Sequence, residues 1–157
     1  MSSWTHKGEI VDDVSFFPEG CIGFIYKVCD NTGKCYIGQK SLFSTRNIVT
    51  SKSNYEKLKR DGHTVKKTKN KKKSKKGSVV WDYRKVVVKE SNWKSYQGSN
   101  KEMKKLKGVS KEIIDFAFSK KQLTYLELKW MFHYNVLESS DYYNDNILGK
   151  FYGRDIN

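Results

Sequence analysis

At 157 residues and 18.4 kDa the chain fits one domain, and with 37% hydrophobic and 14% aromatic residues wholesale disorder is excluded. Cys21, Cys29 and Cys35 are an odd number of cysteines and no export signal opens the chain, so we expect reduced thiols in a cytoplasm; no apolar run approaches the roughly 20 residues of a membrane span. The net charge of +14 is concentrated: residues 57–76 hold eleven of the 31 basic residues against one acid, Asp61, which leaves the rest of the chain at only +4.

Residues 1–20 read as a polar N-terminal extension ending in a turn at Pro18 and Gly20. From Cys21 to Gln39 the pattern is strand, turn, strand: Ile22, Phe24, Tyr26 and Val28 alternate, Asn31-Thr32-Gly33 forms a three-residue loop with Gly33 left-handed, and Lys34 to Gln39 returns. That register sets Cys29 opposite Cys35, expected as buried or half-buried thiols, and puts Tyr26 and Tyr36 on one face. The plain alternative for the two tyrosines is a pair of cross-strand aromatics. Residues 41–60, with Phe43, Arg46, Tyr55 and Leu58, predict a helix or helical turn.

Next come Lys66, Lys67, Lys69, Lys71, Lys72, Lys73, Lys75 and Lys76, interrupted only by Thr68, Asn70 and Ser74. Such a run buries nothing and repels itself, which predicts a mobile loop insertion at about 61–78 that attracts phosphates in a salt-dependent way; a merely solubilising loop is the alternative. Val79 to Val88 is ambiguous between helix and strand. Trp93 to Asn100 reads as a loop, Lys101 to Leu106 as a short helix and Glu112 to Ser119 as a third strand.

Thr124 and Glu127 match a capping box for a helix that continues through Trp130, Met131, Tyr134 and Leu137. Glu127, Trp130, Met131 and Tyr134 recur at i, i+3, i+4, i+7, which puts the carboxylate on the inward face, where an unpaired charge is costly and a cation would relieve it. The histidines and cysteines match no zinc spacing.

Phe24-Ile25-Tyr26, nine intervening residues, then Tyr36-Ile37-Gly38 resembles the signature of the GIY-YIG nuclease superfamily. Arg46, ten residues past Tyr36, stands where the family carries an arginine on its first helix. Glu127 stands where it carries a metal-binding glutamate, and Tyr143-Asn144 follows at the distance of its asparagine. The Trp93–Asn100 loop and the Leu123–Asn146 segment are similar to small free-standing members encoded by bacteriophages. Phe24 replaces the first glycine of the signature, with Gly23 one place earlier, and Gln39 stands where a lysine often follows, with Lys40 next. Homing members usually append a separate DNA-reading module, for which this chain leaves no room.

The resemblance implies a single α/β domain over 21–157, with a small, mainly antiparallel three-stranded sheet flanked by helices, acting as a divalent-metal-dependent endonuclease on DNA. Tyr26 would be the general base or orient the attacking water, with Tyr36 beside it. Arg46 would hold the scissile phosphate, Asn144 would steady the site, and Glu127 would bind one hard cation, magnesium or in its place manganese. A phenol near its ordinary pKa of about 10 is a poor base, so a cation must lower it, and Lys40 is the candidate. The eight lysines of the run would clamp DNA. The expected partner is duplex DNA, with RNA as the alternative, and the protein is a monomer or weak dimer in the cytoplasm, that of the host if a phage encodes it. The rival reading is a non-cleaving nucleic-acid-binding protein that keeps the fold.

Overall fold

In the computed structural model, which describes residues 2–71 and 73–155, a hairpin stands where the sequence predicts only a polar extension. β1 (Trp4–His6) and β2 (Glu9–Val11) are joined by Lys7 and Gly8, both at positive φ, as a two-residue hairpin turn requires. Three-residue strands are too short to show a period; what holds them is the burial of Trp4 and Val11.

The next hairpin follows the expected register. β3 (Gly23–Cys29) pairs antiparallel with β4 (Cys35–Ser41), Tyr26 opposite Gly38 and Val28 opposite Tyr36, with Gly33 at φ 90° in the turn. Asp30 fastens that turn by accepting from the backbone N–H groups of Thr32 and Lys34 and from the Thr32 hydroxyl. Cys29 and Cys35 form a disulfide, not the expected pair of thiols. They face each other across the hairpin with Cα atoms 4.0 Å apart, in a position where side chains approach closely, and the thiol argument for a reducing compartment falls with them. Cys21 is free and buried.

The chain divides into two compact units, Met1–Leu42 with Ser91–Asn157, and Phe43–Glu90. In the second unit β5 (Phe43–Thr50), α1 (Lys52–Arg60), β6 (Val65–Lys69) and β7 (Trp81–Glu90) make an antiparallel sheet in the order β5-β7-β6. The helix expected over 41–60 begins only at Lys52, after Ser51 caps it by accepting from Asn54 N–H. Before that cap, β-branched Thr45, Ile48, Val49 and Thr50 favour a strand, and it pairs along its whole length with β7.

The lysine run is likewise not an unstructured insertion. Lys66, Lys67 and Lys69 lie on β6, with Lys67 over the rings of Trp81 (4.4 Å) and Tyr83 (5.8 Å). Lys71, Lys73, Lys75 and Lys76 occupy the turns before β7, closed by a bridge between Lys75 and Ser78 and by Ser74 accepting from Val80 N–H; Lys72 lies outside the described residues.

The first unit resumes with a loop and a 3-10 turn at Met103–Lys105, then β8 (Ser110–Ala117), α2 (Lys120–His133) and the short pair β9 (Asn146–Ile147) and β10 (Phe151–Tyr152). Its main sheet has five strands, not three, in the order β2-β1-β8-β3-β4, antiparallel except for β1 beside β8. One face packs Trp4, Phe17, Phe24, Tyr26, Trp93, Met103 and Ile113; the other puts Ile25, Ile37 and Ala117 against Leu123, Leu126 and Met131 of α2. Full burial of one such side chain contributes roughly 1.5–3 kcal/mol. Trp4 Nε1 donates to the Trp93 carbonyl (2.7 Å), so the N-terminal hairpin holds the 91–107 loop against the sheet. Among the described residues no helix is long and apolar enough to cross a membrane.

Candidate active site

The site is strung along the outer edge of β4. In this hairpin the Asp30 N–H bonds the Lys34 carbonyl, so by antiparallel alternation the backbone groups of Cys35, Ile37 and Gln39 point away from β3. Each finds a different partner. Cys35 N–H donates to the Asp141 carbonyl, and its own carbonyl accepts from Tyr143 N–H. Ile37 is met by the buried amide of Asn144, which accepts from Ile37 N–H (3.0 Å) and donates to its carbonyl (2.8 Å). Gln39 N–H faces the carboxylate of Glu127 and pulls its pKa down. Asn144 therefore acts as one residue of a missing sixth strand, and Glu127 continues that line from α2.

Glu127 is not a helix cap. Ser119 caps α2 by accepting from Gln122 N–H, Gln122 accepts from Phe118 N–H, and Thr124 donates to the Lys120 carbonyl. Glu127 sits in the second turn, where burial pushes its carboxyl up to about 7 against the pull of the Gln39 N–H.

On the face above this edge the two signature tyrosines lie together, ring centroids 6.3 Å apart. The glycine of the second motif has a direct role: a Cβ on Gly38 would stand 2.5 Å from the Tyr26 hydroxyl and 2.9 Å from the Tyr36 ring, so only glycine lets Tyr26 lie across β4. A bulge in β8 opposite Ile25 and Tyr26 falls at the same point, a device that re-aims side chains. Tyr26 is 1% exposed. Burial, with the neighbouring phenols of Tyr96 and Tyr36 and the Glu127 carboxylate, holds its hydroxyl well above the ordinary range. Tyr36 is more open, its hydroxyl 2.7 Å from Ser99 Oγ at the rim of a cleft of about 570 Å³ also lined by Glu102, Tyr143, Asn144 and Asp145. Its pKa too is raised, by burial first.

Lys40 does not reach the tyrosine pair as the sequence suggests. Its ammonium donates to Asn92 (2.7 Å) and lies 4.1 Å from the centre of the Tyr96 ring, and burial lowers its pKa. The expected lowering of the tyrosine pKa values is absent. Arg46 stands on β5, not on a helix, and belongs to the second unit. The first unit thus brings together Tyr26, Tyr36, Glu127 and Asn144, with Lys40 one residue removed through Tyr96. Tyr96 and Ser99 escape sequence reading because they lie in a loop without period; the signal for them was that loop's likeness to the phage-encoded members.

A family model described as "Putative endonuclease segE, GIY-YIG domain" matches residues 4–147, and the chain belongs to this family of GIY-YIG endonuclease domains. No curated protein and no solved structure matches it. The match begins at Trp4, so it takes in the N-terminal hairpin, and it spans the second unit as well.

Proposed function

We propose that the protein is a DNA endonuclease that hydrolyses phosphodiester bonds with one divalent cation, magnesium or manganese, held at Glu127. The observation that carries this is the carboxylate itself: Glu127 is half-buried on α2, burial pushes its carboxyl up to about 7, and it lies close enough to Tyr26 and Tyr36 to raise both. Among the described residues no three acidic, histidine or cysteine side chains cluster, and one carboxylate completed by water and substrate phosphate suits magnesium better than a cation that needs an all-protein cage. When bound, the cation supplies charge for the developing negative oxygens. Tyr26 retains its proton in the resting protein, which favours orienting the water over removing its proton. Tyr36, at the cleft rim, positions it from the solvent side. Asn144 fixes the backbone under both rings, Lys40 holds Tyr96 against Tyr26, and Arg46 with the lysines of the second unit holds DNA phosphates.

The sealing of Tyr26 favours the rival, a nucleic-acid-binding protein that does not cut. Incubation with supercoiled plasmid, with and without magnesium, separates the two: nicked or linear product that requires the cation and is lost in Glu127→Gln supports the nuclease, and intact plasmid under all conditions supports the binder. Competition between duplex DNA and single-stranded RNA then assigns the substrate.

A further inference from the structure

The second unit has an open surface to which the proposed nuclease chemistry gives no role. Residues 43–90 hold sixteen of the chain's 31 basic residues and four of its 17 acids, a net +12 out of +14, and none of its described residues is buried. α1 covers one face of its sheet, as the Tyr55 ring 5.0 Å from Tyr83 shows. Paired residues of an antiparallel sheet share a face, so Tyr83 goes with Thr50 and Lys67, and the opposite face carries Thr45, Asn47, Val49, Thr68 and Val88, with Lys66 and Arg84 balanced by Asp82 and Glu90. Among the described residues no element of this unit packs there. Val49 is 70% and Val88 59% exposed, and Arg84 is held at 3.6 Å by Asp82.

We infer that this open sheet face is a reading surface for duplex DNA, seated in the major groove while the surrounding lysines meet the phosphates on either side. The inference rests on the reading of the chain as directed at nucleic acid. Charge complementarity names the occupant: the open face is itself balanced, but the unit around it carries a net +12, whose lysines repel one another and are relieved by a polyanion. The side chains narrow it further. Arginine pairs with guanine edges, asparagine with adenine, threonine with either, and small apolar groups meet the thymine methyl; a surface that bound phosphate alone would need no exposed valines. The 48-residue unit is also the room for a DNA-reading module that the sequence did not reveal.

The test uses the full chain without divalent cation and a short fluorescent DNA duplex. Asn47→Glu and Val49→Glu, on exposed strand positions, are expected to weaken binding by about tenfold or more. Ile10→Glu, the same charge change on β2 at a residue 66% exposed, should stay within about twofold. Asn47→Ala adds no charge and should shift the preferred duplex sequence, with the salt dependence left as it was; hydrogen exchange over 43–90 checks that the unit keeps its fold, and if a glutamate variant unfolds it the alanine variant decides.

Equal losses for all three glutamate variants, or none, would overturn the inference, as would a dimer that Val49→Glu dissolves without change in DNA affinity, which would assign the face to a second copy. Wild type that cuts plasmid while face variants bind as tightly as it does sinks this inference and leaves the nuclease standing. Face variants that lose affinity in a protein that never cuts do the reverse.

Discussion

The two units differ in almost every physical respect. The first holds all the fully buried side chains among the described residues, and its fifteen basic and thirteen acidic residues nearly cancel. The second is a thin sheet with one short helix, no buried residue among those described and a net +12. A reacting centre needs side chains locked by packing, since small misplacements cost much of the rate. Attraction to a polyanion needs only density of charge, and it tolerates a loosely supported element. The chain separates the two requirements, so lesions in one unit should change chemistry and lesions in the other should change affinity.

The sharpest break in that comparison would come from Tyr26→Phe. The ring and its packing stay, and only the hydroxyl among Tyr36, Tyr96 and Glu127 is removed. Single-turnover cleavage should fall by about 10²-fold, the cost of misplacing the attacking water, with stability changed by less than about 1.5 kcal/mol and DNA affinity unmoved. Tyr36→Phe should be comparable or milder. Cleavage within about threefold of wild type, with chemistry rate-limiting, would remove Tyr26 from the proposed reaction.

Gly38→Ala asks the same unit a packing question. The new methyl must displace the Tyr26 and Tyr36 rings, and overpacking of this kind costs about 1–3 kcal/mol, or roughly 2–12 °C in Tm for a protein of this size. Cleavage should fall with it, while hydrogen exchange over 43–90 stays unchanged; a variant as stable as wild type would mean that the rings yield freely.

The site hairpin was legible because alternation and a glycine turn are local signals, so the sequence by itself places Tyr26 and Tyr36 on one face. Glu127 was legible in position and not in context: helical spacing turned it inward, but Ser119, not Thr124, caps the helix, and the Gln39 N–H that lowers its pKa faces it only because that edge of β4 is free. The disulfide was half legible, the opposition of Cys29 and Cys35 following from the turn and the bond from their closeness. The second unit was not legible. Its strands are held by cross-strand pairing between residues as distant in the chain as Phe43 and Glu90, and Lys66, Lys67 and Lys69 are strand residues only because β7 supplies the partner. Composition alone makes the same run look like free loop.

The comparison is sharpened from the other side by neutralising Lys71, Lys73, Lys75 and Lys76 to glutamine, which spares the strand lysines of β6. Affinity for every duplex sequence should fall alike, and the slope of log affinity against log salt should flatten by about 0.9 for each phosphate no longer neutralised. Turnover at saturating DNA should survive. An unchanged slope would move the phosphate track out of these turns, and a loss of turnover at saturation would show that the two units do not divide the work as proposed.

The smallest expected effect is a pH dependence of stability seated at Glu127. Its folded pKa, about 7, lies above the ordinary carboxyl value of 4.5, so the native state binds this proton more tightly than the unfolded chain does. The stabilisation is therefore fully present below about pH 4.5 and is lost as pH rises through 7. With the group half-buried the loss should be about 1–2 kcal/mol, well under the value the full shift would give. Urea unfolding in chelator at pH 5 and pH 7.5 should show wild type losing stability relative to Glu127→Gln by that amount, and magnesium should shrink the difference, because a cation favours the ionised carboxylate. If wild type and variant fall together between the two pH values, Glu127 is not desolvated in the folded protein, and the physical argument for a cation at that carboxylate fails with it.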